Sequence, residues 1–131
     1  MAKGQSISLD KIFSTLKFLA NRTPDTTDGE AAGAFAKLSD YRDGAVFIGH
    51  YAGQSEWERH SQGDEIVFVV EGATTLILLD SKGEHPNLMG AGDLLVVPQN
   101  QWHRFVTPDG VKIMSVTPQP TDHSREKPTI G

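Results

Sequence analysis

Six short runs rich in apolar and β-branched residues dominate the chain from residue 44 onward. The runs are GAVFIGHYA (44–52), EIVFVV (65–70), ATTLILL (73–79), LLVVP (94–98), WHRFVT (102–107) and VKIMSVT (111–117). Gly, Asp, Asn or Pro stands in nearly every gap, which predicts short strands joined by hairpin turns. Many short strands at this spacing favour an all-β sandwich or barrel over alternating strands and helices.

The segments on either side of these runs differ in character. Apolar residues recur at helical spacing between residues 9 and 20, which predicts a short amphipathic helix capped by Ser8. Polar and turn-forming residues then predict a loop over 21–34, and FAKLS (35–39) suits a strand. We therefore expect residues 1–39 to pack as helix and loop on a barrel of residues 40–117. A polar tail (118–131) would follow, extended or loose.

The amino-acid composition restricts the kinds of metal site and partner that the protein can have. A chain of 131 residues suits one domain, and the absence of cysteine restricts any metal site to His nitrogen and carboxylate oxygen. The lack of cysteine also fits a reducing cytoplasm, where we expect the protein to reside. The net charge is −5 and the basic residues are scattered, so we expect no nucleic-acid partner. No apolar run is long enough to span a membrane, so we expect no membrane partner.

Ligand-type side chains flank two of the predicted strands. Glu58 and His60 are two residues apart, so a strand would place them on one face, and Glu65 opens the next strand. His103 stands at the start of a later strand, after the turn that follows Pro98. If the two hairpins face each other inside a barrel, these four side chains converge.

Two structural alternatives are open at this point. Glu58 could be an exposed residue paired with Arg59 or Arg104, and His103 could be a core histidine with its hydrogen bonds satisfied. Neither alternative needs a metal.

The spacing of these residues resembles the two motifs of the cupin superfamily. Glu58-x-His60 is followed by four residues, Glu65, six residues and Gly72. The second motif follows as Gly92, five residues, Pro98-x-Asn100, two residues, His103, three residues and Thr107. The resemblance covers roughly residues 40 to 117. It implies a jelly-roll barrel, also called a double-stranded β-helix.

The sequence departs from the cupin pattern at four points. Glu58 stands where the family usually has its first His, and the run from Gly53 to Glu58 is one residue short. Thr107 replaces a terminal Asn, and Asn100 replaces a turn Gly, where Asn is the best substitute for a left-handed backbone. Only the first departure changes the chemistry of the site.

The resemblance implies that His60, Glu65 and His103 bind a divalent metal, with Glu58 as a fourth ligand or, if uncoordinated, as a general base. Two carboxylates and two imidazoles favour Fe²⁺ or Mn²⁺ more than a site of three histidines would, and we expect these metals over Zn²⁺ or Ni²⁺. From the strand faces, we expect a small apolar cavity at the site. Its predicted lining is His50, Val67, Val69, Phe105 and Thr107.

Two functions remain open from the sequence. One is a metal-dependent enzyme, dioxygenase-like or isomerase-like, that acts on a small, mostly apolar oxygenated molecule. The other is a metal-free, non-catalytic protein that binds a small ligand, and Glu58 in place of His favours it. In either case we expect a homodimer, because two-fold dimers are the commonest closed assemblies.

Overall fold

The computed structural model describes residues 3–130 and shows an all-β chain with two short helices, which confirms the predicted fold class. The helices are α1 (Leu9–Phe13) and α2 (Asp28–Ala31). The strands are β1 (Leu19–Arg22), β2 (Phe35–Tyr41), β3 (Gly44–Gln54), β4 (Trp57–His60), β5 (Glu65–Asp80), β6 (Gly83–Gly90), β7 (Leu94–Val97), β8 (His103–Pro118) and β9 (Thr121–Ser124). All of these strands belong to one hydrogen-bonded sheet that curls into the barrel.

Two long bent strands, β5 and β8, organise the sheet. They pair antiparallel along most of their length, from Ile66 opposite Val116 to Leu78 opposite His103. Each was predicted as two shorter strands, and that division is wrong. The chain passes Gly72 (φ 79°) and Gly110 (φ 104°) as bends within a continuous strand, because positive φ at glycine redirects the backbone without ending the pairing.

The N-terminal helix is shorter than predicted. It ends at Phe13, and Leu19 already belongs to β1, which pairs parallel with β3. Ser8 caps the helix as expected, because its side chain accepts a hydrogen bond from the Lys11 amide. Phe13 is buried in a cluster with Leu38 and Ile48, so the helix packs on the outer face of β2 and β3.

The C-terminal segment forms part of the sheet. β9 pairs antiparallel with β4, so that His60 lies opposite Thr121 and Glu58 opposite His123. The sheet therefore extends beyond residues 40–117 on both sides, to β1 and β2 at one end and to β9 at the other. None of the helices in residues 3–130 has the length and apolarity needed to cross a membrane.

The turns that carry the two motifs hold each other. The Asn100 amide donates to the His60 carbonyl over 2.9 Å, and the Gln99 amide donates to Asp64 Oδ1 over 2.8 Å. Asn100 adopts the predicted left-handed backbone, with φ 66°. These contacts fix the end of β4 against the turn that precedes His103.

Candidate metal centre

Three strands deliver the four candidate ligands to one end of the barrel. Glu58 and His60 lie on β4, Glu65 begins β5 and His103 begins β8. Glu58 is the register partner of His103 across the β4–β8 pairing. Since side chains of register partners project to the same face of a sheet, this pairing places both residues toward the barrel interior. Potential ligand atoms of Glu58, His60 and His103 all lie within 4.8 Å of one another.

Glu65 bridges the two histidines. Its Oε2 lies 3.3 Å from Nε2 of His60, and its Oε1 lies 3.1 Å from Nε2 of His103. The two imidazole rings are 5.2 Å apart between centroids. All three residues are almost completely buried, with exposed fractions of 2% for His60, 4% for Glu65 and 0% for His103.

The outer nitrogen of each histidine is held by a different kind of partner. Nδ1 of His103 lies 3.0 Å from the Gln101 carbonyl, which can only accept, so Nδ1 carries the proton. Nδ1 of His60 lies 3.0 Å from the Thr121 hydroxyl, which can donate or accept. In neutral His103, Nε2 therefore carries a lone pair, which faces the Glu65 carboxylate.

A pair of hydroxyl groups also holds the carboxylate of Glu65 in place. The Thr117 hydroxyl donates to Glu65 Oε2 over 2.6 Å, and Ser115 lies 2.8 Å from Thr117. Such outer contacts orient ligand side chains in metal sites.

The ionisation states of Glu65 and His103 depend on each other. Burial opposes ionisation of Glu65, but the adjacent His103 and His60 rings outweigh it and lower the pKa of Glu65 to about 2. Burial also disfavours the imidazolium of His103, and again the contact with Glu65 outweighs it, so the pKa of His103 is raised. Without a metal, an ion pair of Glu65 carboxylate and His103 imidazolium is thus favoured.

The donor atoms suit a divalent cation. Nε2 of His60, Nε2 of His103 and Oε1 of Glu65 are buried and lack hydrogen-bond partners among residues 3–130. Buried polar atoms without hydrogen bonds are costly, and here the Glu65 oxygens lie 3.3 Å from Nε2 of His60 and 3.1 Å from Nε2 of His103. Two imidazole nitrogens and a carboxylate oxygen form a recognised ligand set for transition metals. The residues present therefore fit the metal that the sequence predicts.

Glu58 lies at the border between the buried cluster and a cavity. Its side chain is 17% exposed, and it lines a cavity of about 210 Å³ together with Arg22, Glu56 and His123. Arg22 Nη2 lies 3.9 Å from Glu58 Oε1. The pairings considered from the sequence do not form, because Arg59 pairs with Asp122 and Arg104 approaches Gln54 and Glu84.

The family model described as Cupin domain matches residues 47–117, which is more than half of the chain. The chain belongs to the cupin family. Over 67 residues this cupin is 30% identical to the uncharacterized protein YdbB of Bacillus subtilis strain 168. That match spans 51% of this chain and 57% of YdbB, so the cupin covers little more than half of its relative.

Solved structures share the cupin fold at low sequence identity. A cupin-2 domain containing protein from Shewanella frigidimarina superposes with a TM-score of 0.65 at 19% identity, covering 86% of this chain and 94% of that chain. The hydroquinone 1,2-dioxygenase PnpCD, in complex with Cd²⁺ and 4-hydroxybenzonitrile, gives 0.55 at 19% identity, covering 64% and 63%. These similarities establish the fold alone. The chemistry of the site has to be inferred from its own residues.

The five residues predicted to line a cavity do not line the one that Glu58 borders, although the Phe105 ring lies edge-on to His103 at 6.2 Å. Val67, Val69 and Phe105 are buried in the main core cluster, and Thr107 is bonded to the Thr74 hydroxyl over 2.7 Å. His50 faces the opposite side of β3 from buried Tyr51 and stacks on Phe18 at 4.8 Å. The cavity that does reach Glu58 is instead bounded by the segment after β1, because β1 lies alongside β3 at the barrel mouth.

Sequence reasoning missed two residues at the site. Arg22 was assigned to a loop, and Thr121 to a loose tail. Both reach the site through strand pairings between distant segments, β1 with β3 and β9 with β4. A four-residue strand is too short to show a clear alternation of apolar and polar residues. Neither pairing could therefore be predicted from the sequence.

Proposed function

We propose that this cupin is a metal-dependent enzyme whose ion is held by His60, Glu65 and His103, with Glu58 at its open side. The observation that carries the proposal is a set of three buried donor atoms that make no hydrogen bond within residues 3–130. Two of them, Glu65 Oε1 and His103 Nε2, lie 3.1 Å apart. Burying such groups is costly unless they are paired with opposite charge or bind a metal.

The donor set favours Fe²⁺ or Mn²⁺ over Zn²⁺ or Ni²⁺. Two neutral imidazoles with the carboxylates of Glu58 and Glu65 would balance a divalent charge. Such a metal supplies Lewis acidity, and with Fe²⁺ also reactivity toward O₂. The substrate class that suits the site is a small, mostly apolar molecule with oxygen donors.

The protein residues supply positioning and proton transfer. Gln101 holds His103 in the tautomer with a free Nε2, and Thr117 holds the Glu65 carboxylate. Glu58 is the one candidate ligand in contact with the cavity, so it can complete the ligand set or accept a proton from a bound molecule. The barrel core behind the site excludes water from its inner side.

The reaction class is proposed as dioxygenase-like or isomerase-like. The fold shared with hydroquinone 1,2-dioxygenase supports the first, since it shows that a barrel of this shape can carry such chemistry. Either reaction requires an open coordination position next to a cavity, and the location of Glu58 supplies that arrangement.

A metal-free, ligand-binding role is the second candidate. It is favoured by the buried pair of Glu65 and His103, which compensate each other's charge when His103 is protonated. The two roles differ in what a metal does to the protein, so reconstitution separates them.

The test uses chelator-treated protein reconstituted with Fe²⁺, Mn²⁺ or Zn²⁺ and supplied with hydroquinone, catechol or acetylacetone. We expect O₂ uptake or product formation that depends on one metal and falls at least about tenfold in Glu58→Gln. The His85→Gln variant is the control, because His85 is half exposed and bonded to Asp80 away from the site. Protein that binds these molecules equally well without metal, and does not convert them, would support the second candidate.

We also propose that the protein is a homodimer. Ile66, Leu94 and Val96 form an apolar patch on the outer face of β5 and β7, with exposed fractions of 38%, 59% and 49%. The patch adjoins the α1 cluster through Met114, which lies opposite Phe68 in the β5–β8 pairing. Contiguous exposed apolar patches mark interaction sites, so we propose this face as the dimer contact.

A further inference from the structure

We propose that Arg22 anchors the carboxylate group of a small monoanionic substrate in the cavity beside Glu58. The inference rests on the proposed function, because it names the substrate class of the same site. Arg22 lies outside both cupin motifs and reaches the site from the N-terminal segment.

The backbone of Arg22 is held closely against β3. Arg22 is the register partner of Gly53 in the parallel β1–β3 pairing. Gly53 has φ 116°, and a Cβ built on it would lie 2.1 Å from the Arg22 carbonyl oxygen. Only glycine permits this approach, so the position of Arg22 is built into the fold.

The side chain of Arg22 packs against two aromatic rings. Its guanidinium lies over the ring of Tyr51, 4.5 Å from the centroid, and 5.0 Å from the centroid of Phe35. Tyr51 is buried in the core, so one side of this support is rigid. Stacking of this kind holds the planar cation while its N–H groups stay available at the edges.

Arg22 borders the cavity and forms no tight ion pair with Glu58. The distance of 3.9 Å from Arg22 Nη2 to Glu58 Oε1 is too long for a hydrogen bond. Arg22 is still 20% exposed, and it lines the cavity of about 210 Å³ that Glu58 also lines. A fixed fork of donors facing a cavity next to a candidate metal matches a carboxylate, which accepts two parallel hydrogen bonds.

The other charges of the cavity limit the ligand. Asp28 and Glu56 also line it, and Glu56 lies 3.7 Å from Nδ1 of His123. These acidic groups disfavour phosphates and other multiply charged anions, because each added negative charge meets like charge. The volume corresponds to about seven water molecules, at roughly 30 Å³ each, so the carboxylate belongs to a small molecule.

The experiment measures binding of benzoate and of its neutral isostere benzamide by titration calorimetry, on the full chain with Mn²⁺ and after chelation. Wild type is compared with Arg22→Met, Arg22→Lys and Arg125→Met. Arg125→Met removes the same charge from an exposed side chain paired with Asp25. Metal content is measured on every sample, so that loss of ligand binding and loss of metal are read separately.

We expect benzoate affinity to fall at least about tenfold in Arg22→Met, as loss of a charge-assisted hydrogen bond implies, and to stay within twofold in Arg125→Met. Arg22→Lys should fall between them, because lysine keeps the charge without the fork. Manganese content should be unchanged, since the positively charged side chain of Arg22 does not bind a metal ion.

Two results would overturn the inference while leaving the metal proposal intact: metal-loaded wild type that binds no benzoate, or equal benzoate affinity in wild type and Arg22→Met. Benzamide bound as tightly as benzoate would do the same. If no sample takes up manganese, the proposed function fails, and benzoate binding that still depends on Arg22 would leave the anchor standing.

Discussion

At the scale of single residues, the hydroxyl of Thr121 controls how His60 presents its inner nitrogen. When Nδ1–H of His60 donates to Thr121, over 3.0 Å, Nε2 is free to bind a metal. Thr121→Val keeps the shape of the side chain and removes the acceptor. We expect metal affinity to fall about 10- to 100-fold in this variant, measured by competition with a chromogenic chelator.

Thr121→Ser is the matched control, because serine keeps the hydroxyl and loses a methyl group. It should retain affinity close to that of wild type. If Thr121→Val bound metal as tightly as Thr121→Ser, the hydroxyl would have no part in orienting His60.

The buried pair of Glu65 and His103 predicts how the metal-free protein responds to pH. The pKa of Glu65 falls from 4.5 to about 2 on folding, so its stabilisation is present above 4.5 and lost as pH falls toward 2. The pKa of His103 rises from 6.5, so its stabilisation is present below 6.5 and lost as pH rises through the folded value. Thermal unfolding in chelator should therefore show greatest stability between these limits.

His103→Gln tests the assignment of the alkaline side. This variant should lose the decline above pH 6.5 that wild type shows, and the acid decline should shrink too, because His103 helps to lower the pKa of Glu65. An unchanged alkaline decline would mean that another group is responsible.

At the scale of elements, the β1–β3 pairing depends on Gly53. Gly53→Ala would place a methyl group 2.1 Å from the Arg22 carbonyl oxygen, so β1 must move. Gly83 has a similar φ of 120° but no atom within 4 Å of such a Cβ, so Gly83→Ala measures backbone strain alone. We expect Gly83→Ala to lower the free energy of unfolding by about 1 kcal/mol and Gly53→Ala by clearly more, in urea unfolding. Equal losses would contradict the close approach.

Prediction from sequence succeeded where the signal was local. The β-branched runs gave the all-β class, and motif spacing gave the family and the four residues that the structure brings together as Glu58, His60, Glu65 and His103. The left-handed backbone of Asn100 was also predicted, because asparagine tolerates that conformation better than most residues with a side chain. Long strands that bend at Gly72 and Gly110 were divided, because a glycine in a turn and a glycine in a bend look alike in sequence.

The rest of the site depends on pairings between distant segments. β9 supplies Thr121, and β1 supplies Arg22. Each pairing is set by register and packing over the folded barrel, which a four-residue segment does not encode by itself. The same limit explains the predicted apolar lining: alternation along β5 placed Val67 and Val69 inward correctly, but only packing shows that they fill the core.

At the scale of the whole molecule, the apolar patch of Ile66, Leu94 and Val96 predicts association. Val96→Lys introduces a charge at the centre of the proposed contact, and should shift the protein from dimer to monomer in light scattering coupled to gel filtration. Leu88→Lys is the control, because Leu88 lies on β6 and is 85% exposed. A wild type that is monomeric at high concentration, or a Leu88→Lys variant that dissociates equally, would contradict this assembly.

We propose that His60, Glu65 and His103, with Glu58, hold a divalent metal. The most direct measurement is elemental analysis of freshly purified, tag-free wild type beside His60→Ala, Glu58→Ala and the control His85→Ala. We expect near-stoichiometric iron or manganese in wild type and His85→Ala, and loss of that metal in His60→Ala. Retention of metal in Glu58→Ala would exclude Glu58 as a required ligand, and loss would identify it as one. Wild type that is free of metal, and that takes up none on reconstitution, would contradict the claim.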